Sequence, residues 1–129
     1  MLRYLCLINL DVYLFVMTIL SRKFVISFAI LLIALLGELL IWNRVVMLSI
    51  FLVILAYIKH KMYPIKKELL WFMFISLGGA LMEIILVNFG HGWSYAHPDF
   101  LGIPFWIPIF WGLVGTTVVV MYEGLVHKS

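Results

Sequence analysis

The sequence predicts an all-α, polytopic membrane helix bundle of five transmembrane helices, or four if the first apolar stretch lies along the membrane surface. The chain is 66% hydrophobic and only 12% charged, whereas soluble domains are roughly half apolar and a quarter charged. Charged or polar breaks mark off five apolar stretches, and a helix needs about 20 residues to cross the hydrocarbon. The expected spans of this single domain, residues 1–129, are 4–20, 24–42, 45–58, 69–87 and 103–122.

Two of these stretches need separate justification. Residues 24–58 would make about 52 Å of helix at 1.5 Å per residue, too long for one span, so Asn43 and Arg44 must mark a tight turn. The stretch 45–58 is short, but the residues on either side, including Lys59, can extend it by snorkelling to the headgroups. The first stretch is expected to be retained rather than cleaved as a signal, because Asp11 interrupts its apolar run.

The basic residues predict an orientation. In the five-span arrangement one side receives Arg22, Lys23, Lys59, Lys61, Lys66, Lys67 and Lys128, and the other receives Arg3 and Arg44. Lys and Arg are concentrated in cytoplasmic loops. We therefore expect a plasma (inner) membrane protein with its N-terminus outside and its C-terminus in the cytoplasm, and no nucleic-acid partner.

Three carboxylates lie within the predicted spans: Asp11, Glu38 and Glu83. Such groups usually face the bundle interior and mark functional sites. Glu38 and Glu83 occupy the same depth in parallel spans, about 7 Å outward of the bilayer centre. Two carboxylates that share a low-dielectric site cannot both ionise cheaply, so the pair would supply a general acid beside a base. The competing interpretation is that each carboxylate only fixes helix packing.

Helical spacing indicates which way Glu83 faces. Ser76, Gly79, Ala80 and Glu83 share one stripe, and membrane helices use small residues where their backbones approach closely. Glu83 should therefore point at another helix. At the cytoplasmic span ends, Glu68 and Glu123 are expected to be solvated or paired with Lys and His.

The loop that follows Glu83 is rich in aromatic and titratable residues. His91, Trp93, Tyr95 and His97 fall at the headgroup level, where such side chains anchor membrane proteins or line the edge of a site. His91, His97 and Asp99 do not match the spacing of a zinc motif, so no metal site is predicted. We expect His91, Trp93, Tyr95 and His97, together with Asp11, to contact a substrate.

A stripe of special residues enters the last span: Pro104, Pro108, Trp111 and Gly115. Pro104 fits a first helical turn, where its missing amide costs nothing. Pro108 is expected to kink the helix or leave a carbonyl without a partner. The kink, faced by Trp111, would shape a pocket for a flat apolar molecule, or the stripe is an ordinary packing face.

These residues resemble a known family. Glu83, Phe89-Gly90, Trp93-Ser94-Tyr95 and then Gly102-Ile103-Pro104, Pro108 and Trp111 resemble the pattern of the carotenoid biosynthesis membrane proteins that include the bisanhydrobacterioruberin hydratases. The resemblance implies a polyene or isoprenoid substrate and an acid–base reaction such as the addition of water, without a cofactor. It also implies that Glu83, Tyr95, Pro104 and Trp111 line the site.

Three functions remain open from the sequence. One is a lipid- or isoprenoid-modifying enzyme with Glu83 and Glu38 as its catalytic pair. Another is a non-enzymatic subunit or assembly module, with itself or another membrane protein as partner. The third is a small transporter or oligomeric conductor, which the apolar inner halves of the spans disfavour within one monomer.

Overall fold

The computed structural model describes residues 7, 10–12, 14 and 21–127, and four long helices lie within that part of the chain. They are α1 (Arg22–Ile41), α2 (Val45–Met62), α3 (Glu68–Asn88) and α4 (Trp106–Val126). Residues 7, 10–12 and 14 are helical, and the rest of the predicted span 4–20 lies outside the described residues. The predicted all-α class is confirmed: among described residues, strand-like pairing is limited to an isolated bridge between Phe100 and Ile103.

All four helices are long and apolar enough to cross a membrane. Their 18 to 21 residues correspond to about 27–32 Å of helix, close to the thickness of the hydrocarbon core. The chain is therefore an integral membrane protein. The predicted tight turn is confirmed, since α1 ends at Ile41, the Arg44 amide donates to the Ile41 carbonyl at 2.9 Å, and α2 starts at Val45.

The last span begins later than predicted. Helix α4 starts at Trp106, so Pro104 precedes the helix and does not occupy its first turn. Pro108 instead lies in that first turn, where an amide is not needed, and α4 continues unbroken to Val126. The predicted kink at Pro108 is wrong, and the Pro104 carbonyl is not left bare because the Ile107 amide donates to it at 3.2 Å.

Helix α4 is the centre of the bundle. It packs against α3 most extensively, then against α1 and α2, while α1 and α2 pack on each other as a hairpin. It also contributes the largest set of buried residues, among them Gly112, Leu113, Thr116 and Val120. Helices α2 and α3, although joined by a short loop, make few direct contacts with each other.

Candidate functional site

Glu83 lies in a polar site formed by α3, α4 and the loop that connects them. Its side chain faces the bundle interior, and the residue is only 8% exposed. The Tyr95 hydroxyl donates to one carboxylate oxygen at 2.9 Å, and the Trp111 indole N–H donates to the other at 3.3 Å. Three residues singled out in the sequence therefore meet around one carboxylate.

Small residues on α3 and α4 bring Trp111 to Glu83. A Cβ atom added at Gly79 would lie 2.3 Å from the Trp111 Cγ atom, and one added at Gly112 would lie 2.3 Å from the Ser76 hydroxyl. Neither position has room for a side chain. The predicted small-residue stripe of α3 is thus the surface on which α4 packs, and it sets the distance between the indole and Glu83.

Glu38 reaches the same region from α1. Its side chain is partly exposed, and it interacts electrostatically with both Glu83 and Tyr95. Among the described residues its carboxylate forms no hydrogen bond or ion pair. The two carboxylates are therefore close enough to interact electrostatically, and only Glu83 is held by hydrogen-bond donors among the described residues.

Tyr95 is the loop residue on which the site depends. Burial, the hydrogen bond to Glu83 and the negative charges of Glu83 and Glu38 raise the pKa of Tyr95 to about 12. The phenol therefore stays protonated at neutral pH and acts as a donor. Trp93 lies beside the Tyr95 hydroxyl and is 45% exposed.

Aromatic rings continue the site beneath the loop. Trp106 contacts Tyr95 edge to face at 6.3 Å between ring centroids, and Phe110 contacts Trp106 in the same way at 6.1 Å. Trp106 is 4% exposed, and its indole N–H has no hydrogen-bond partner among the described residues. A buried donor without an acceptor is energetically costly.

The loop itself is fastened to the helix ends. The Asn88 side-chain amide donates to the carbonyls of Ile84 and Leu101, both at 2.8 Å. Leu101 and Gly102 have positive φ angles, 47° and 86°, and form the tight turn that the Phe100–Ile103 bridge closes. Gly102 is suited to this conformation because it lacks a Cβ atom.

Other predicted site residues form no hydrogen bond with Glu83 among the described residues. His97 stacks on Trp42 at the end of α1, with 5.8 Å between ring centroids, and His91 is exposed on the loop. Pro104 is buried before α4. Asp11 is helical and exposed, and it forms no hydrogen bond or ion pair with the described residues.

Asp99 stabilises the backbone directly before α4. Its carboxylate accepts a hydrogen bond from the Phe105 amide at 3.1 Å, directly before α4. A carboxylate at a helix N-terminus is stabilised by the free amides and by the helix dipole. Asp99 therefore fixes the start of α4 rather than joining the residues around Glu83.

A second polar cluster lies at the opposite end of α3. Glu68 accepts hydrogen bonds from the Lys59 ammonium, from His60 Nδ1 at 2.6 Å and from the Ile65 amide at 3.1 Å. Glu123 pairs with Lys23 at 2.7 Å. The expected pairing of these two glutamates with Lys and His is confirmed, but Lys59 does not snorkel, because it is 0% exposed.

Sequence reasoning missed Trp106, Asn88 and the burial of Lys59. Asn88 carried a signal, since Asn and Gly are common at helix ends and Gly90 follows two residues later, and Trp106 carried one as an aromatic near a span end. The burial of Lys59 had none, because it depends on the rotation of α2 about its axis.

Comparison with protein-family models, with curated proteins and with solved structures gives no match. Fold and site together define a helical integral membrane protein with a buried, hydrogen-bonded carboxylate near one end of the bundle.

Proposed function

We propose that Glu83 and Glu38 form an acid–base pair that acts on an isoprenoid- or polyene-type lipid at the outer side of a plasma membrane. The observation that carries this proposal is the unequal environment of the two groups. Glu83 is held by two neutral donors, Tyr95 and Trp111. Glu38 approaches it from another helix without a hydrogen-bond donor of its own among the described residues. Such a pair shares a proton readily, because two negative charges repel in a low dielectric.

The reaction that suits this pair is the addition of water to an alkene. The protonated carboxyl transfers its proton to one alkene carbon, and the other carbon becomes cationic. Water adds to that carbon and releases a proton to the ionised carboxylate, so the pair ends with one proton as it began. Tyr95 and Trp111, whose polar atoms bind Glu83, are aromatic groups of the kind that stabilise a cation through the ring face. No cofactor is needed for this step.

Access favours a lipid rather than a water-soluble molecule. Glu38 is partly exposed, and the residues that follow it on the helix, Leu39 and Leu40, are exposed and apolar. A substrate dissolved in the bilayer would therefore reach the pair from the side. In the proposed orientation, with the Lys-rich loop in the cytoplasm, this entrance lies in the outer half of the membrane.

The test is turnover of an acyclic polyene or prenyl alcohol by the purified protein in isotopically labelled water. Mass spectrometry should detect a product that carries one labelled oxygen. Glu83→Gln should lower turnover by roughly 10²–10⁴-fold, the usual contribution of a positioned acid or base. Glu123→Gln makes the same change in the Lys23 ion pair at the opposite end of the bundle, and it should leave turnover unaltered. Full activity of Glu83→Gln would contradict the proposal.

A structural role is the second candidate, and one observation favours it: both Glu83 oxygens already accept hydrogen bonds. In that case Glu83 fastens the loop and α4 to α3, and the protein is a packing or assembly module. The wild type should then show no turnover. Glu83→Gln should change thermal stability or oligomer size, and nothing else.

A further inference from the structure

A groove lies between α2 and α3, the two neighbouring helices that make few contacts with each other. It has a volume of about 430 Å³, within the range of small-molecule sites. One wall is a single stripe of α2, and the other is the first turns of α3; the lining residues are Val53, Ala56, Tyr57, His60, Glu68, Leu69 and Phe72. The groove is apolar along its length and polar only at the end near the Lys-rich loop.

The polar end of the groove is already organised. Glu68 receives the buried Lys59 ammonium and His60 Nδ1, which fixes the imidazole at the groove with its Nε2 atom free of this bond. The Lys61 ammonium lies over the Tyr57 ring, 5.5 Å from the centroid, so a second positive charge stands at the same place. The negative charge of Glu68 is balanced by its partners, so the net charge at the polar end of the groove is positive.

We infer that this groove binds an anionic phospholipid, with one acyl chain between α2 and α3 and the phosphate at Lys61, beside His60. The charge is complementary, because Glu68 is already bound to Lys59 and His60, whereas Lys61 forms no ion pair with a carboxylate among the described residues. Basic pockets between membrane helices, next to Lys clusters, are suited to anionic headgroups. The site is independent of Glu83, which lies near the other end of α3.

Lipid retention by the purified protein tests the inference. The protein is reconstituted in mixed phosphatidylcholine and phosphatidylglycerol bilayers, extracted, and examined by native mass spectrometry. Wild type should retain phosphatidylglycerol selectively. Equal retention of the two lipids would overturn the assignment of an anionic headgroup.

Two matched pairs of variants locate the lipid. Ala56→Trp fills the groove and should abolish selective retention, whereas Ala29→Trp places the same side chain on an exposed face of α1 and should preserve it. Lys61→Gln should weaken retention about fivefold. Lys67→Gln removes the same charge beside a different patch, formed with Leu70, Trp71 and Phe74, and should change it by less than about twofold. Equal effects within either pair would overturn the groove as the binding site.

A measurement on the unaltered protein covers the case in which Ala56→Trp does not fold. Phosphatidylglycerol with a photoreactive group on one acyl chain is crosslinked to the wild type in bilayers, and the labelled peptides are mapped. The inference predicts label on the facing stripes of α2 and α3 that line the groove. Label spread evenly around the exposed faces of all four helices would overturn it.

Discussion

Helix α3 carries a glutamate near each end, and the two are treated in opposite ways. Glu68 accepts from a lysine, a histidine and a backbone amide. Among the described residues, Glu83 accepts only from the neutral groups of Tyr95 and Trp111, and the charged group that interacts with it is another carboxylate, Glu38. Positive groups balance the negative charge of Glu68, whereas the described partners of the Glu83 carboxylate are neutral dipoles.

This difference is the basis on which we propose a chemical role for Glu83 and a structural one for Glu68. A compensated carboxylate keeps its charge and holds the loop between α2 and α3 in one conformation. A carboxylate surrounded by neutral donors and a second acid can gain or lose a proton without breaking an ion pair. The two ends of one helix can therefore be tested against each other by removing the same kind of interaction from each.

The largest effect is expected at the compensated end. Lys59→Met leaves Glu68 buried without its main counter-charge, and it should lower the free energy of unfolding by about 3 kcal/mol. Lys23→Met breaks the pair with Glu123, whose side chain is 38% exposed, and should cost less than about 1 kcal/mol. Thermal or denaturant unfolding in detergent measures both.

The double variant Lys59→Met, Glu68→Gln sharpens this test. With both charges removed, no isolated ion remains, and stability should return to within about 1 kcal/mol of wild type. A double variant as unstable as Lys59→Met alone would show that the lysine stabilises the bundle through its packing and not through Glu68.

The next effect concerns the packing that brings Trp111 to Glu83. Gly79→Ala puts a Cβ atom 2.3 Å from the Trp111 Cγ atom, so α4 or the indole must shift, at a cost of about 1–3 kcal/mol. Gly78→Ala meets no atom within 4 Å and should be neutral. Thermal or denaturant unfolding measures the loss of stability, and tryptophan fluorescence detects a shift of the indole. Equal stability of the two variants would contradict close packing at Gly79.

Much of this architecture can be predicted from the sequence, because a small number of rules governs the length, the ends and the packing of membrane helices. Span length, the turn at Asn43 and the small-residue stripe below Glu83 all depend on local chemistry that the bilayer enforces. The start of α4 was misplaced because it depends on the turn at Leu101 and Gly102, whose positive φ angles are not visible in an apolar stretch.

The site was predictable only in part for a related reason. The spacing of the Glu83 stripe gives a facing direction, but the partner of that face depends on how helices rotate and which of them is central. Tyr95 and Trp111 could be proposed as neighbours, whereas the stacking of His97 on Trp42 and the exposure of His91 follow from the path of the loop. Lys59 illustrates the same limit, since a lysine at a span end is ordinarily expected to snorkel.

A smaller effect is expected when one donor to Glu83 is removed. Tyr95→Phe keeps the ring against Trp106 and deletes the hydroxyl, leaving one Glu83 oxygen without its donor. The free energy of unfolding should fall by about 1 kcal/mol. Tyr122→Phe makes the same change on an exposed residue, 64% accessible, and should have no effect. A loss as large as that of Lys59→Met would mean that Glu83 is as dependent on its partners as Glu68.

The smallest effect is the pH dependence of that same hydroxyl. The pKa of Tyr95 is raised to about 12 in the fold, from roughly 10 in an unfolded chain. A group with a raised pKa stabilises the fold fully below its unfolded value, and the contribution is lost as pH rises through the folded value. The stability difference between wild type and Tyr95→Phe should therefore be constant through neutral pH and shrink only between about pH 10 and 12. Unfolding measured across that range checks it. A difference that already changes near neutral pH would show that the Tyr95–Glu83 hydrogen bond responds to the protonation of the carboxylate pair and not to the phenol.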